Sequence, residues 1–421
     1  MQLNRRRILL GGAALGTAGL VPRWTLAQGG PVLAGTEAID RALRDAVERG
    51  DIPGVVAAVT DRDGTLYESV FGERGLGGGV PMSMDTVFYL ASMTKPITAT
   101  CAMQLVEQGK LELDAPISRY VPDARKLQVL DGWDEQGKPR LRAPRREVTL
   151  RDLNTHTSGF AYNLWDADLD RYMKETGFPS LESRKEEAFY PPLMFDPGER
   201  WEYGISIDWI GKLVATVSGQ SLGNYMQDHV FAPLGMASTG YGLSPDMERR
   251  RATTHQRDED GRLRATDWVS PQDPPIENGG GGLYSTAGDY QRFMRMILNG
   301  GSGEGRQVLK PETVEQMTRN NMGDIRVTLL KTTNPARSLD AEFFPGLPKS
   351  WGLSFMINEE DAPTGRPAGS LAWAGIQNTF FWIDPTGGMG GVYMTQILPF
   401  VDAKTLAGFG AFETAVYQAA S

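Results

Sequence analysis

Strand-like runs lie at both ends of this chain and are scarce between residues 110 and 280, and that distribution narrows the fold more than any other feature. Residues 54–60 and 65–71 are short β-rich runs joined by the polar turn Asp61-Arg62-Asp63-Gly64, the pattern of a hairpin. Ahead of them, residues 36–50 predict a helix, because Ile39, Leu43 and Val47 recur every four residues and Gly50 supplies a stop. A second helix is predicted after Ser92, with Ile97, Cys101 and Leu105 on one face and Gly109 ending it. Near the C-terminus, residues 350–357, 371–373, 379–383 and 391–398 predict strands, with a turn at Asp384-Pro385-Thr386-Gly387-Gly388, and residues 402–420 predict a closing helix. Between the ends, helical patterns at 209–217 and 222–230 are separated by Pro-rich loops, and the charged, irregular stretch 122–146 predicts a surface excursion. The expectation is an α/β fold of the α+β kind. One antiparallel sheet would be built from about residues 30–90 and 285–421, with a mostly helical insertion at about 97–280.

Residues 1–27 predict an export signal rather than part of that unit, which would run from 28 to 421. Asn4-Arg5-Arg6-Arg7 is basic, residues 8–21 are apolar and rich in Gly and Ala, and Thr25-Leu26-Ala27 offers small residues at a cleavage site. The run Arg5-Arg6-x-Ile8-Leu9 is similar to a twin-arginine signal, so a periplasmic or secreted protein is expected. The apolar stretch is short for a membrane span and no cysteine follows it, so no stable membrane anchor is expected. The net charge is −9, and residues 1–27 hold four arginines and no acid, so a mature chain would be more acidic still. That balance argues against nucleic acid or an anionic membrane as partner. The single cysteine, Cys101, excludes an internal disulfide and reads as a small buried apolar residue.

Ser92-Met93-Thr94-Lys95 places a hydroxyl and an amine three residues apart at a predicted helix start, on one helical face. A serine hydroxyl needs a neighbouring base to become a nucleophile. A lysine can be that base only if burial or another cation brings its pKa towards neutrality. The helix N-terminus adds free N–H groups, and that of Ser92 could donate to an oxyanion. By itself the pattern fits equally an N-cap serine followed by a solvated lysine.

The surrounding residues decide between these readings. Thr86-Val87-Phe88-Tyr89-Leu90-Ala91-Ser92-Met93-Thr94-Lys95-Pro96-Ile97-Thr98-Ala99 resembles the nucleophile region of class C β-lactamases and family VIII carboxylesterases. Val148-Thr149-Leu150-Arg151-Asp152-Leu153-Asn154-Thr155-His156-Thr157-Ser158-Gly159, Val230-Phe231-Ala232-Pro233-Leu234-Gly235-Met236 and Gly281-Gly282-Leu283-Tyr284-Ser285-Thr286-Ala287-Gly288-Asp289-Tyr290 resemble further blocks of that superfamily, in its order. The resemblance implies a β-lactamase/transpeptidase-like fold and acyl transfer through Ser92, with Lys95 and Tyr203 as the proton relay and no cofactor or metal. Beside Lys95, Tyr203 would ionise more easily than in water, an adjacent cation favouring phenolate. In Tyr203-Gly204-Ile205, isoleucine stands where the β-lactamases carry asparagine. Where they carry Lys-Thr-Gly, this chain has Trp373-Ala374-Gly375, a change found in the esterases. Gly375 would then let the strand approach substrate, the Ile376 N–H would be a second oxyanion donor, and Trp373 would be an apolar wall in place of a cation. Asn278, before the glycine run 279–282, is a further expected substrate contact.

Other motifs are weaker. Gly219-Gln220-Ser221-Leu222-Gly223 matches a nucleophile elbow in letters, but a helical pattern precedes it, so Ser221 reads as a helix cap. Lys331-Thr332-Thr333 lacks a glycine and precedes Asn334-Pro335. The three histidines, His156, His229 and His255, form no metal pattern, and His156 reads as structural. The expected activity is cleavage of small carboxylic esters. The rivals are a β-lactamase or D-alanyl-D-alanine peptidase, an acyltransferase, and a non-catalytic binding protein; nothing in the sequence sets an oligomeric state.

Overall fold

Seven antiparallel strands from the two ends of the chain form one sheet in the computed structural model, which describes residue 33 and residues 35–421. The predicted export segment 1–27 lies outside the described residues. In chain order the strands are β1 (Gly54–Asp61), β2 (Thr65–Gly72), β3 (Lys349–Trp351), β4 (Met356–Asn358), β5 (Leu371–Gly375), β6 (Thr379–Asp384) and β7 (Met389–Met394). Their order across the sheet is β3-β4-β5-β6-β7-β1-β2, so the N-terminal hairpin adds to the C-terminal strands through the β1–β7 pair, Val56 opposite Met394.

The central strands are buried on both faces, and their side chains divide by the period of two. On β6, Phe380 and Trp382 face the closing helix (Ala403–Ala420), where Phe380 stacks on Phe409 at 4.6 Å. Phe381 points the other way, to Tyr290 of helix Ala287–Leu298, at 5.2 Å. The Tyr290 hydroxyl then donates to the Met93 carbonyl at 3.1 Å, which ties this layer to the turn that carries Ser92. The first helix, α1 (Glu37–Glu48), packs beside the closing helix. Helix α2 (Lys95–Glu107) is buried from Lys95 to Leu105, which fits its apolar character all round, and α4 (Ser206–Ser218) packs against it. Between them in sequence, α3 (Leu150–Thr155) opens with a Thr149–Asp152 capping box and closes on His156 in the left-handed region, φ 57°.

Three expectations fail locally. Residues 350–357 are two strands: Ser354 turns the chain with φ 77°, and a Cβ at Gly352 would lie 2.2 Å from the Met317 carbonyl. Residues 391–398 also divide, because Ile397–Leu398 leaves the sheet to pair with His255–Arg257. The stretch 122–146 contains a small hairpin, Val129–Trp133 with Pro139–Arg142, carried on the surface by the Asp134–Gly137 turn. Neither region that splits has the Asn-Gly or Gly-Gly signature that marks a tight turn in sequence.

Candidate active site

Of residues 90–105, Ser92 alone is not fully buried. It lies in a single 3₁₀ turn, Ala91–Thr94, that feeds directly into α2 at Lys95, with Pro96 in the helix's first turn. Ala91 before it takes φ 47°, a left-handed conformation that costs a residue with a Cβ on the order of 1 kcal/mol or more and re-aims the chain at the next residue. The turn is held from three sides. The Leu90 N–H donates to the Leu283 carbonyl at 2.8 Å. The Gln396 side chain bonds both the N–H and the carbonyl of Tyr89, at 3.0 and 3.1 Å, as a strand neighbour would. At Gly375 the end of β5 abuts Leu90, where an added Cβ would sit 2.3 Å from the Leu90 carbonyl, so that only glycine fits.

Lys95 points back along α2 into the protein and has no exposed surface. Its Nζ lies 3.1 Å from Ser92 Oγ, 2.6 Å from the Gly280 carbonyl and 3.3 Å from the Tyr162 hydroxyl. It also sits over the face of the Tyr203 ring, 4.7 Å from its centroid. Burial pulls the Lys95 pKa down to about 7, against the opposing pull of the Asp208 carboxylate. The glycine run is pinned beside it by Thr98, one helical turn on, whose hydroxyl donates to the Gly279 carbonyl at 2.6 Å.

Tyr203 stands at the same place but not in the state expected of it. Its hydroxyl accepts a hydrogen bond from the Trp373 indole at 3.0 Å, with the two rings 4.8 Å apart. Burial pushes the phenol up, and its side-chain contacts with Ser92 and Trp373 only oppose that push. The expected easy ionisation is therefore corrected: desolvation, with the Asp208 charge adding to it, favours the protonated phenol. Trp373 is buried between Tyr203, Trp351 and Phe343 and supplies no cation. Ile376, half-buried, follows Gly375 at the strand end. Asn278 gives its backbone carbonyl to the Tyr241 hydroxyl at 2.8 Å and keeps a buried Oδ1 with no protein partner.

Two further side chains join the cluster: Tyr162, which nothing in the sequence singles out, and Asp208, for which the sequence leaves open a role fixing the Tyr203 helix or a solvated one. Tyr162 enters from the loop after α3, and its backbone N–H bonds the Tyr203 carbonyl at 3.2 Å. Asp208, in the first turn of α4, is 1% exposed, accepting the Gly280 N–H at 2.9 Å and the Tyr162 hydroxyl at 3.3 Å. The signal for Asp208 was an acid set among Ile207, Trp209 and Ile210; Tyr162 carried none. Elsewhere, Ser221 caps the helix Leu222–Met226 by accepting the Asn224 N–H at 3.2 Å. Lys331 is exposed and pairs with Asp340. The His156 ring packs on Tyr203 at 4.8 Å and on Trp351 at 5.3 Å, and burial drives its pKa well down. Among the described residues no group of three or more His, Cys, Asp or Glu is placed to hold a metal, and no helix is long and apolar enough to cross a membrane.

Comparison with known proteins agrees with this architecture. The chain is 34% identical over 395 residues to monacolin J acid methylbutanoyltransferase of Aspergillus terreus, covering 90% of this chain and 95% of that one. It is 30% identical to lovastatin esterase of Penicillium rubens, over 88% of this chain and 95% of the relative. The unliganded structure of simvastatin synthase (LovD) from Aspergillus terreus superposes with a TM-score of 0.78 at 32% identity, covering 90% of this chain and 97% of that one. The Beta-lactamase family model matches residues 39–414, and the chain therefore belongs to that family, a β-lactamase-fold group of serine hydrolases and acyltransferases.

Proposed function

We propose that this protein cleaves carboxylic esters through an acyl-enzyme on Ser92. The observation that carries the reading is a fully buried lysine whose amine lies 3.1 Å from the one partly open hydroxyl of its turn. Ser92 Oγ attacks the ester carbonyl carbon as its proton passes to neutral Lys95 Nζ. The backbone N–H groups of Ser92 and Ile376 hold the oxyanion. Collapse of the tetrahedral intermediate breaks the C–O bond, and the leaving alkoxide takes up the one proton held on Lys95, which returns the amine to its neutral form, while the Tyr203 hydroxyl beside it keeps its own proton. Water then gives a proton to Lys95 and attacks the acyl carbon, and Ser92 leaves with that proton.

The charge of Lys95 sets the pH dependence. The base form is needed, so kcat/KM for an uncharged ester should rise with pH through an apparent pKa of about 7 and flatten above it. Activity is lost as the solution falls below that value, because the lysine becomes a cation without a lone pair. A kcat/KM profile on p-nitrophenyl acetate reads this directly, and a flat profile from pH 5 to 9 contradicts it.

The β-lactam rival predicts a cation for the substrate carboxylate beside the oxyanion strand, and the position holds buried Trp373 instead. A lost charge-assisted hydrogen bond is worth about 1.5–3 kcal/mol. A chromogenic cephalosporin should accordingly show kcat/KM roughly 10- to 100-fold or more below that of p-nitrophenyl acetate. Equal or faster cephalosporin turnover would overturn the ester reading. Transfer of the acyl group to an alcohol is a second reading, favoured by relatives named for methylbutanoyl transfer and simvastatin synthesis. Product analysis with added alcohol decides it, since free acid marks hydrolysis and a new ester marks transfer.

A further inference from the structure

We propose that Asp208 is a positioning residue that aims the lone pair of Lys95 at Ser92, acting through Tyr162 and Gly280. The inference rests on the acyl-enzyme reading above. Three oxygens surround Lys95 Nζ: Ser92 Oγ at 3.1 Å, Gly280 O at 2.6 Å and Tyr162 Oη at 3.3 Å. A neutral amine has two N–H bonds and one lone pair, so two of these oxygens must accept and one must donate. The Gly280 carbonyl can only accept. Tyr162 is turned into an acceptor because its own proton is directed to Asp208 Oδ2, 3.3 Å away. Both N–H bonds are thereby assigned, and the remaining tetrahedral position, the lone pair, faces the Ser92 hydroxyl.

The same carboxylate fixes the other acceptor. Asp208 Oδ1 takes the Gly280 N–H at 2.9 Å, which holds that peptide with its carbonyl on Lys95. The approach is tight: a Cβ at residue 280 would lie 2.5 Å from Asp208 Oδ2 and 3.0 Å from the Tyr162 hydroxyl. Among the described residues Asp208 forms no salt bridge; its contacts are the Gly280 N–H and the Tyr162 hydroxyl, although the carboxyl is 1% exposed. A buried acid without a contacting counter-ion is costly. Its charge is matched when Lys95 takes the Ser92 proton, so the carboxylate favours the charge state formed during attack. A base held in orientation by a third group is the general logic of activated serine nucleophiles.

The groups facing Lys95 and Asp208 are Ser92 on the 3₁₀ turn, His156 at the end of α3, Tyr162 and Tyr203. Arg184 and Tyr241 act on Asp208 from further out. Of the closest set Asp208 is the one carboxyl; burial raises its pKa, the Lys95 charge, the Gly280 N–H and the Tyr162 hydroxyl oppose that rise, and its removal withdraws the interaction that favours protonated Lys95. Asp208→Asn is therefore expected to move the acid limb of kcat/KM to lower pH and to lower the plateau by about 10²–10³-fold. Tyr162→Phe keeps the ring and removes the relayed bond, and should lower kcat/KM about tenfold or more. The double variant should be no slower than Asp208→Asn alone, because the two act in series.

The experiment measures kcat/KM against pH for p-nitrophenyl acetate in the parent and these three variants, with Ser92 acylation checked by mass spectrometry in the parent. An acid limb at the parent pH in Asp208→Asn overturns the proposal, since a purely structural role lowers rate without moving the limb. Should Asp208→Asn fail to fold, Tyr162→Phe decides: a fall below about tenfold overturns the proposal and a larger one supports it. A parent without acylated Ser92 removes the hydrolase reading and this inference together. An acylated parent with unaltered variants removes this inference only.

Discussion

Ser92→Ala is expected to lower kcat/KM for p-nitrophenyl esters by roughly 10⁴- to 10⁶-fold while leaving the fold intact. The rate falls that far because no acyl-enzyme can form, and only oxyanion donors and binding remain to assist water. The fold persists because Ser92 is not fully buried and its side chain contributes no cap to the 3₁₀ turn or to α2. Alanine already occupies the more demanding position beside it, at φ 47°. Steady-state kinetics read together with a thermal melt check the two halves of this expectation. Parental melting with parental turnover would exclude Ser92 as nucleophile.

Lys95→Met should cost roughly 10²–10⁴-fold in kcat/KM, the range a positioned general base contributes. Methionine is the informative replacement because Lys95 has no exposed surface, and alanine would add a cavity to the loss of the amine. The rise in rate through about pH 7 should also disappear, since the group that titrates there is gone. Lys95→Arg should not restore activity: guanidinium stays protonated at any working pH and has no lone pair to offer. A pH–rate profile of each variant against the parent measures both effects. A methionine variant that keeps the acid limb of the parent would assign that limb to another group.

What could be read from sequence follows from how local each feature is. Ser92 and Lys95 were legible because their helical spacing lies inside a block of residues that resembles the nucleophile region of the family, and Gly375 because it closes the Trp373-Ala374-Gly375 motif; the packing of Gly375 on Leu90 is visible only in the structure. The two-ended sheet was legible because its central strands are buried on both faces and therefore read as apolar runs. The Val129–Trp133 and Pro139–Arg142 hairpin was missed for the opposite reason. Its strands carry Asp131, Gly132, Arg140 and Arg142 at or near the surface, without apolar alternation.

The meeting of Tyr162, Asp208 and Gly280 was illegible because it is made by three segments far apart in the chain and has no spacing of its own. The protonation of Tyr203 was misjudged because a neighbouring cation can be inferred from a motif, whereas depth of burial cannot. Here burial decides: the same desolvation that brings Lys95 down towards neutrality pushes the phenol up. One buried cluster thus holds an amine brought towards its neutral form and a phenol that keeps its proton.

Rapid quenching of the protein with p-nitrophenyl butyrate, followed by peptide mapping by mass spectrometry, tests the central claim most directly. The account predicts a butyryl group on the peptide containing Ser92, present in the parent and absent from Ser92→Ala. Ester turnover with that peptide unmodified, or with the acyl group on another serine such as Ser221, would contradict it.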